Sequence, residues 1–102
     1  MTANAVRGEA ALILGGETLV LRPSFAALVA AEEELGSLFA LVERAAAGGL
    51  KLAEIVGLFW HCLAERPGGL TRERLGAAVV ERGMAAAMPA LRVLLSQVLQ
   101  GR

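Results

Sequence analysis

The chain of 102 residues contains no aspartate and no tyrosine, and it has only one cysteine and one histidine. The single cysteine, Cys62, excludes an intramolecular disulfide and a zinc site made of several thiolates. The glycine pairs have neither phosphate-loop spacing nor a following Lys-Ser or Lys-Thr. The sequence therefore predicts no catalytic, cofactor-binding or metal-binding residues, and we do not expect an enzyme.

Net charge is also missing, because ten basic residues balance ten acidic ones. This balance argues against a general electrostatic attraction to nucleic acid or to an anionic membrane. No apolar run reaches the ~18 residues of a membrane-spanning helix, and residues 1–8 lack the features of a signal peptide. We expect a cytoplasmic protein from a reducing compartment, with neither nucleic acid nor membrane as a partner.

The apolar content is ample for a single core. It amounts to 56% of the residues, although alanine supplies much of it, and aromatic residues make up only 4%. A chain of this length is near the common size for one domain. We therefore predict a single domain, residues 1–102, with an aliphatic core.

A β-hairpin is predicted at about residues 9–22, where two apolar runs flank Gly15 and Gly16. Glycine permits the positive φ angles of a tight two-residue turn. Counting outward from this turn places Leu14 opposite Glu17 and Glu9 opposite Arg22. One face then carries the four leucines Leu12, Leu14, Leu19 and Leu21, and the other carries Ile13, Thr18 and Val20. Because an isolated hairpin is only marginally stable, the leucine face should pack on helices.

Five helices are predicted after the hairpin, at about residues 24–35, 37–47, 52–66, 71–82 and 89–99. Ser24, Ser37 and Thr71 stand at positions where their hydroxyls can cap the first, second and fourth helices. Pro89 should be the first residue of the last helix, after a loose turn at residues 84–88. The predicted fold class is α+β and mostly helical, with a two-stranded antiparallel hairpin on a bundle of four to five short helices.

Apolar stripes at helical spacing predict the inward faces. In the first helix the stripe is Phe25, Leu28, Val29 and Leu35; in the third it is Leu52, Ile55, Val56, Phe59, Cys62 and Leu63. The run of glutamates at residues 32–34 is expected to be solvated, because buried carboxylates are rare.

Three neighbours on the third helix each allow a functional interpretation. Cys62 falls inside the apolar stripe, which favours a buried packing residue over a nucleophile. His61 points about 100° away, so the two side chains diverge, and His61 is expected on a polar outer face with Lys51, Glu54 and Glu65. Trp60 lies at the margin of the stripe, where it either completes the core or serves as a binding anchor.

The third and fourth helices could also be interpreted as a helix-turn-helix unit that binds DNA. Against this, two glutamates offset the arginines of the would-be recognition helix, and the whole chain is neutral.

Several segments together resemble the small tail proteins of gene transfer agents and related phages. They are residues 7–22, residues 24–28, Glu32 ahead of Leu35-Gly36, residues 48–52 and the closing helix at residues 91–99. The family is known as a phage tail assembly chaperone and, under an older label, as a tail tube protein. The similarity covers nearly the whole chain, but it consists of glycines and apolar positions and includes no catalytic signature.

The resemblance implies a protein that binds the long, helical tape-measure protein, or other tail proteins, until tube subunits polymerise around it. The outer hairpin face and the last helix supply apolar surface for such contacts. The candidate partner-binding residues are Ile13, Val20, Trp60 and Met88. Alternatively, these residues fill the core or a homodimer interface, or the chain is a structural tail tube or minor tail component.

Overall fold

A two-stranded hairpin followed by five helices makes up residues 9–100, the part of the chain described by this computed structural model. The elements are β1 (Ala10–Leu14), β2 (Glu17–Leu21), α1 (Phe25–Leu35), α2 (Leu38–Ala46), α3 (Leu52–Cys62), α4 (Arg72–Arg82) and α5 (Met84–Gln100). The predicted class, α+β and mostly helical, is confirmed.

The hairpin has the predicted register, from Leu14 opposite Glu17 to Ala10 opposite Leu21. Gly15 and Gly16 form the turn with φ angles of +56° and +81°, which residues with a side chain rarely adopt. All four leucines of the inner face are buried. Ile13, on the outer face, is 55% exposed.

The three predicted N-caps are all present. The hydroxyl oxygens of Ser24, Ser37 and Thr71 accept hydrogen bonds from the amides of Ala27, Ala40 and Arg74. Each bond satisfies a backbone donor that has no partner inside its helix. These caps explain why the starts of α1, α2 and α4 were predictable to within a residue.

The third helix ends at Cys62 and not near residue 66 as predicted. After Cys62 the chain turns extended and runs beside β2, where Leu63 forms an isolated bridge with Leu21. The Arg22 amide donates to the Cys62 carbonyl at 2.6 Å, and the Ala64 amide donates to the Val20 carbonyl at 2.9 Å. These bonds satisfy backbone groups on the free edge of β2, which a longer α3 would leave without partners.

The expectation that Val20 is an exposed residue of the outer hairpin face is wrong, because only 4% of it is exposed. Its strand edge is covered by the segment that follows α3. On its own face lies the predicted ion pair, in which Arg22 Nε donates to Glu9 Oε2 at 2.5 Å. The Glu9 side chain is only 3% exposed, so this end of the outer face is largely covered.

The last helix begins at Met84, five residues before the predicted start, and contains Pro89 within it. Proline in this position removes one backbone hydrogen bond and crowds the carbonyl four residues earlier, that of Ala85. Both Pro89 and Ala85 are exposed, so the ring and the freed carbonyl face solvent. The helix can therefore continue through the proline.

The core surrounds α3, which packs between α1 and α4. The predicted stripe of α3 is buried at Ile55, Val56, Phe59, Cys62 and Leu63. Two predicted core positions are wrong, because Leu52 is 44% exposed and Phe25 is 85% exposed. Within residues 9–100, none of the helices has the length and apolar content needed to cross a bilayer.

Candidate interaction surface

A shallow apolar groove runs along the outer surface between α3 and α4. Its apolar lining consists of Leu52, Ala53 and Val56 from α3 and of Gly76, Ala77 and Val80 from α4. Leu52 is 44% exposed and Val80 is 56% exposed, so two branched aliphatic side chains stand at the surface of this groove. Apolar side chains that neighbour one another on a surface mark a site of interaction more often than scattered ones.

Helical spacing explains why these residues meet. Leu52 and Val56 are one turn apart on α3, and Gly76 and Val80 are one turn apart on α4. A methyl group on Gly76 would lie at ordinary contact distance, 3.6 Å from Val56 Cγ1, so alanine would fit and the glycine leaves the floor of the groove one methyl group deeper. The wall on the α4 side is low because Ala77 is small.

The rim of the groove is acidic. Glu73 and Glu81 line it from α4, and both are exposed. Arg72 lies beside Glu73, but its guanidinium is bound by Glu34. Glu73 and Glu81 form no ion pair with another residue of the described chain, so the rim has an excess of negative charge.

An ion cluster closes one end of the groove and ties three helices together. Arg72 donates to both oxygens of Glu34, at 2.5 and 2.8 Å, and His61 Nε2 lies 2.8 Å from Glu34 Oε1. These hydrogen bonds, with those from Arg72 the larger cause, lower the pKa of the Glu34 carboxyl to about 2. Residues 32–34 are exposed, as expected, but Glu34 is also paired with residues of two other helices. His61 therefore contacts α1 as well as the outer face of its own helix.

Replacing Glu34 with glutamine should reduce the acid sensitivity of folding. The pKa of Glu34 is about 2 in the folded chain and 4.5 when unperturbed, so its stabilising effect is complete above about pH 4.5 and disappears toward pH 2. Because the Glu34 side chain is 39% exposed, we expect its pairing with Arg72 and His61 to contribute less than about 1 kcal/mol. Urea denaturation between pH 2.5 and 6 would measure it, with the exposed Glu33→Gln as the matched control. An equal pH slope in both variants would contradict the assignment.

Trp60 combines the two interpretations that the sequence left open. The ring is partly buried and packs against the core, and it lies one turn after Val56 on α3. The guanidinium carbon of Arg66 lies 4.3 Å from the ring centroid, and that of Arg72 lies at 6.0 Å. Trp60 is thus a core-edge residue, and two cations lie close to its ring at the closed end of the groove.

The four candidate partner-binding residues lie on separate elements. Ile13 is exposed on β1, Met88 is half-buried on α5, and Val20 is buried in β2. None of the four lines the α3–α4 groove, and Trp60 lies one helical turn beyond Val56, which does. The sequence did not identify Leu52 and Val80 as surface residues. The exposure of Val80 was predictable, because Val80 lies outside the inward-facing stripe of α4, which contains Leu75 and Val79.

Other chemistry-bearing residues have packing or pairing roles. Cys62 is buried as predicted, and burial raises the pKa of its thiol to about 12, so a thiolate is not available near neutral pH. In α4, Arg74 donates to the Gly69 carbonyl, and Arg72 is held by Glu34. Within residues 9–100 no group of three or more His, Cys or acidic residues is arranged to hold a metal ion.

Comparison with known protein families gives a match over residues 7–101 to the family described as phage tail tube protein, GTA-gp10. Comparisons with curated proteins and with solved structures gave no match. The family match spans nearly the whole chain and includes the hairpin and all five helices. The chain therefore belongs to the GTA-gp10 family of phage tail tube proteins, and it is a tail protein of the phage or gene transfer agent type.

Proposed function

We propose that the chain is a tail assembly chaperone, which binds the tape-measure protein in the host cytoplasm and releases it when tube subunits assemble around it. Family membership supports a role in the tail. The observation that carries the finer proposal is the exposed apolar groove between α3 and α4. A groove between two helices is a common receptor for an apolar helical segment, and such binding needs no catalytic residue.

The size of the surface suits a reversible complex. Burying about 400 Å² of apolar surface at about 25 cal/mol per Å² contributes on the order of 10 kcal/mol. Association costs of about 4–15 kcal/mol offset most of this gain. A chaperone has to release its client, so a small net affinity fits the role better than a large permanent interface.

Further contacts are proposed at three of the candidate residues. Trp60 is half-buried and lies one turn beyond Val56 of the groove, while Ile13 presents an exposed aliphatic side chain on β1. Met88 is half-buried, and its flexible thioether can adapt to varied helical partners. Val20 is not proposed as a contact, because it is buried.

A structural role in the tail tube is the second candidate. The family description itself names a tail tube protein. Phe25 and Phe39, which are 85% and 61% exposed, lie on α1 and α2, outside the groove. A ring-forming subunit needs two different complementary surfaces, and exposed apolar side chains on several elements are compatible with that.

Co-expression with the tape-measure protein of the same gene cluster separates the two candidates. A chaperone should move the tape-measure protein into the soluble fraction and co-purify with it, while the free chain elutes as a monomer or small oligomer. An unrelated soluble domain of similar size is the control. If the tape-measure protein stays insoluble and the chain forms rings visible by electron microscopy, the chaperone proposal is wrong and the tube role is favoured.

A further inference from the structure

We infer that the α3–α4 groove binds an amphipathic helix whose apolar stripe is flanked by basic residues. The inference deepens the proposed function and rests on it, since the tape-measure protein would supply this helix. The shape of the groove and the charge of its rim favour this occupant, whereas the symmetry of a dimer disfavours a second copy of the chain.

The shape of the groove fits a short length of helix. On the α4 side the lining extends over eight positions, from Glu73 to Glu81, or about 12 Å at 1.5 Å per residue. This length matches about two turns of a partner helix, which would present apolar side chains at positions i, i+3 or i+4, and i+7. The small residues Ala53, Gly76 and Ala77 let the partner backbone approach closely.

The negative charge of the rim favours apolar helices that carry basic flanking residues. The rim carboxylates belong to Glu73 and Glu81, so they are about two helical turns from each other along α4. Arg72 compensates for them only in part, because Glu34 binds its guanidinium through two hydrogen bonds. The lining then holds three glutamates against one arginine, so negative charge is in excess. Lysine or arginine residues about two turns apart on a bound helix would meet both carboxylates.

Symmetry argues against a second copy of the chain as the occupant. In a two-fold dimer the same surface patch comes from both subunits. Joining two copies through this groove would bring Glu73 and Glu81 of each copy close to those of the other. Like charges across an interface are unfavourable, whereas a basic helix removes the excess negative charge.

Two synthetic peptides without aromatic residues test the inference independently of the tape-measure protein. Both carry the same leucine stripe over 18 positions, and one is flanked by lysines while its twin is flanked by glutamates. We expect the lysine peptide to bind at least ~10-fold more tightly, with Trp60 fluorescence as the readout. In the Glu73→Lys/Glu81→Lys variant this preference should disappear, and in the control Glu17→Lys/Glu33→Lys it should remain.

A second set of variants tests the apolar floor. Val80→Lys should weaken binding of the lysine peptide, and of the tape-measure protein, by at least ~10-fold. Leu99→Lys is its matched control, because Leu99 is also helical and also 56% exposed, and it should change binding less than ~twofold. Ala77→Gln provides an independent obstruction of the groove. Circular dichroism and thermal unfolding establish that each variant is folded.

The possible outcomes separate the two claims. Equal binding of the two peptides, or unchanged binding after Val80→Lys and Ala77→Gln, would overturn the groove inference. If the tape-measure protein still bound these variants normally, the chaperone proposal would survive at another surface. If the peptides behave as expected but the wild-type chain does not bind the tape-measure protein, the groove inference stands and the chaperone proposal fails. Concentration-dependent dimerisation that Val80→Lys abolishes would assign the groove to a second copy and overturn the inference.

Discussion

Replacing Phe59 with alanine should lower the free energy of unfolding by about 3–5 kcal/mol. Phe59 is completely buried and is the largest side chain at the centre of the core, on the helix that packs between α1 and α4. Removing its ring loses apolar burial and leaves a cavity that the surrounding side chains fill only in part. Since a domain of this size has a total stability of about 5–15 kcal/mol, the variant should be close to unfolding.

Urea denaturation measures this loss with two probes, far-ultraviolet circular dichroism and the fluorescence of Trp60, the only tryptophan. Phe39→Ala is the matched control, because it deletes the same ring from a helical position that is 61% exposed. We expect that control to change the unfolding free energy by less than about 0.5 kcal/mol. A comparable loss in both variants would show that Phe39 is buried in solution, for example in a dimer.

Features that depend on neighbouring residues were predictable from the sequence. Gly15 and Gly16 determine the hairpin register because partners are counted outward from the turn. The N-cap serine and threonine residues determine helix starts because each hydroxyl binds an amide only three residues later. The fold class and the bounds of β1, β2, α1 and α4 followed from such local signals.

Contacts between distant parts of the chain were not predictable in the same way. The apolar pattern of α3 continues to Leu63, and the helix ends earlier because its next residues bond to β2, some forty positions back. Glu34 and Arg72 are 38 positions apart, and neither residue carries a local sign that it has a charged partner. The Glu32 carboxylate accepts a hydrogen bond from the Leu38 amide, a capping contact that its place in a run of glutamates concealed.

The groove was not predictable from the sequence either, because it is formed by residues that are distant along the chain. Leu52 satisfies the spacing of the α3 stripe, so periodicity assigns it to the core. It is, however, the first residue of the helix, and 44% of it stays exposed. Val80 is adjacent to the buried Val79 but about 100° away around α4. Only the antiparallel packing of α3 on α4 brings these two exposed side chains to one surface.

Two glycine-to-alanine substitutions in the interiors of neighbouring helices should have opposite effects. In each helix, alanine improves helix propensity by about 1 kcal/mol relative to glycine. At Gly76 the new methyl group would lie at ordinary contact distance, 3.6 Å from Val56 Cγ1. Gly76→Ala should therefore raise the unfolding free energy by about 0.5–1 kcal/mol.

At Gly57 the surroundings are tighter. A methyl group there would lie 3.2 Å from Leu35 Cδ2 and 3.4 Å from Glu34 Oε2, the oxygen that accepts from Arg72 Nη1. The new group would displace the Leu35 side chain and disturb the Glu34 carboxylate of the ion cluster. Overpacking costs about 1–3 kcal/mol, which exceeds the gain in propensity, so Gly57→Ala should lower the unfolding free energy by about 1 kcal/mol.

Urea denaturation of the two variants and the wild-type chain measures whether each substitution raises or lowers the free energy of unfolding. The comparison isolates packing, because the chemical change and the helical context are the same at the two positions. Stabilisation by both substitutions would mean that the Leu35 and Glu34 side chains can move aside at little cost. Since Gly76 forms the floor of the groove, Gly76→Ala should also lower the affinity for a helical ligand while it stabilises the fold. A loss of binding without a loss of stability would show that Gly76 serves ligand binding.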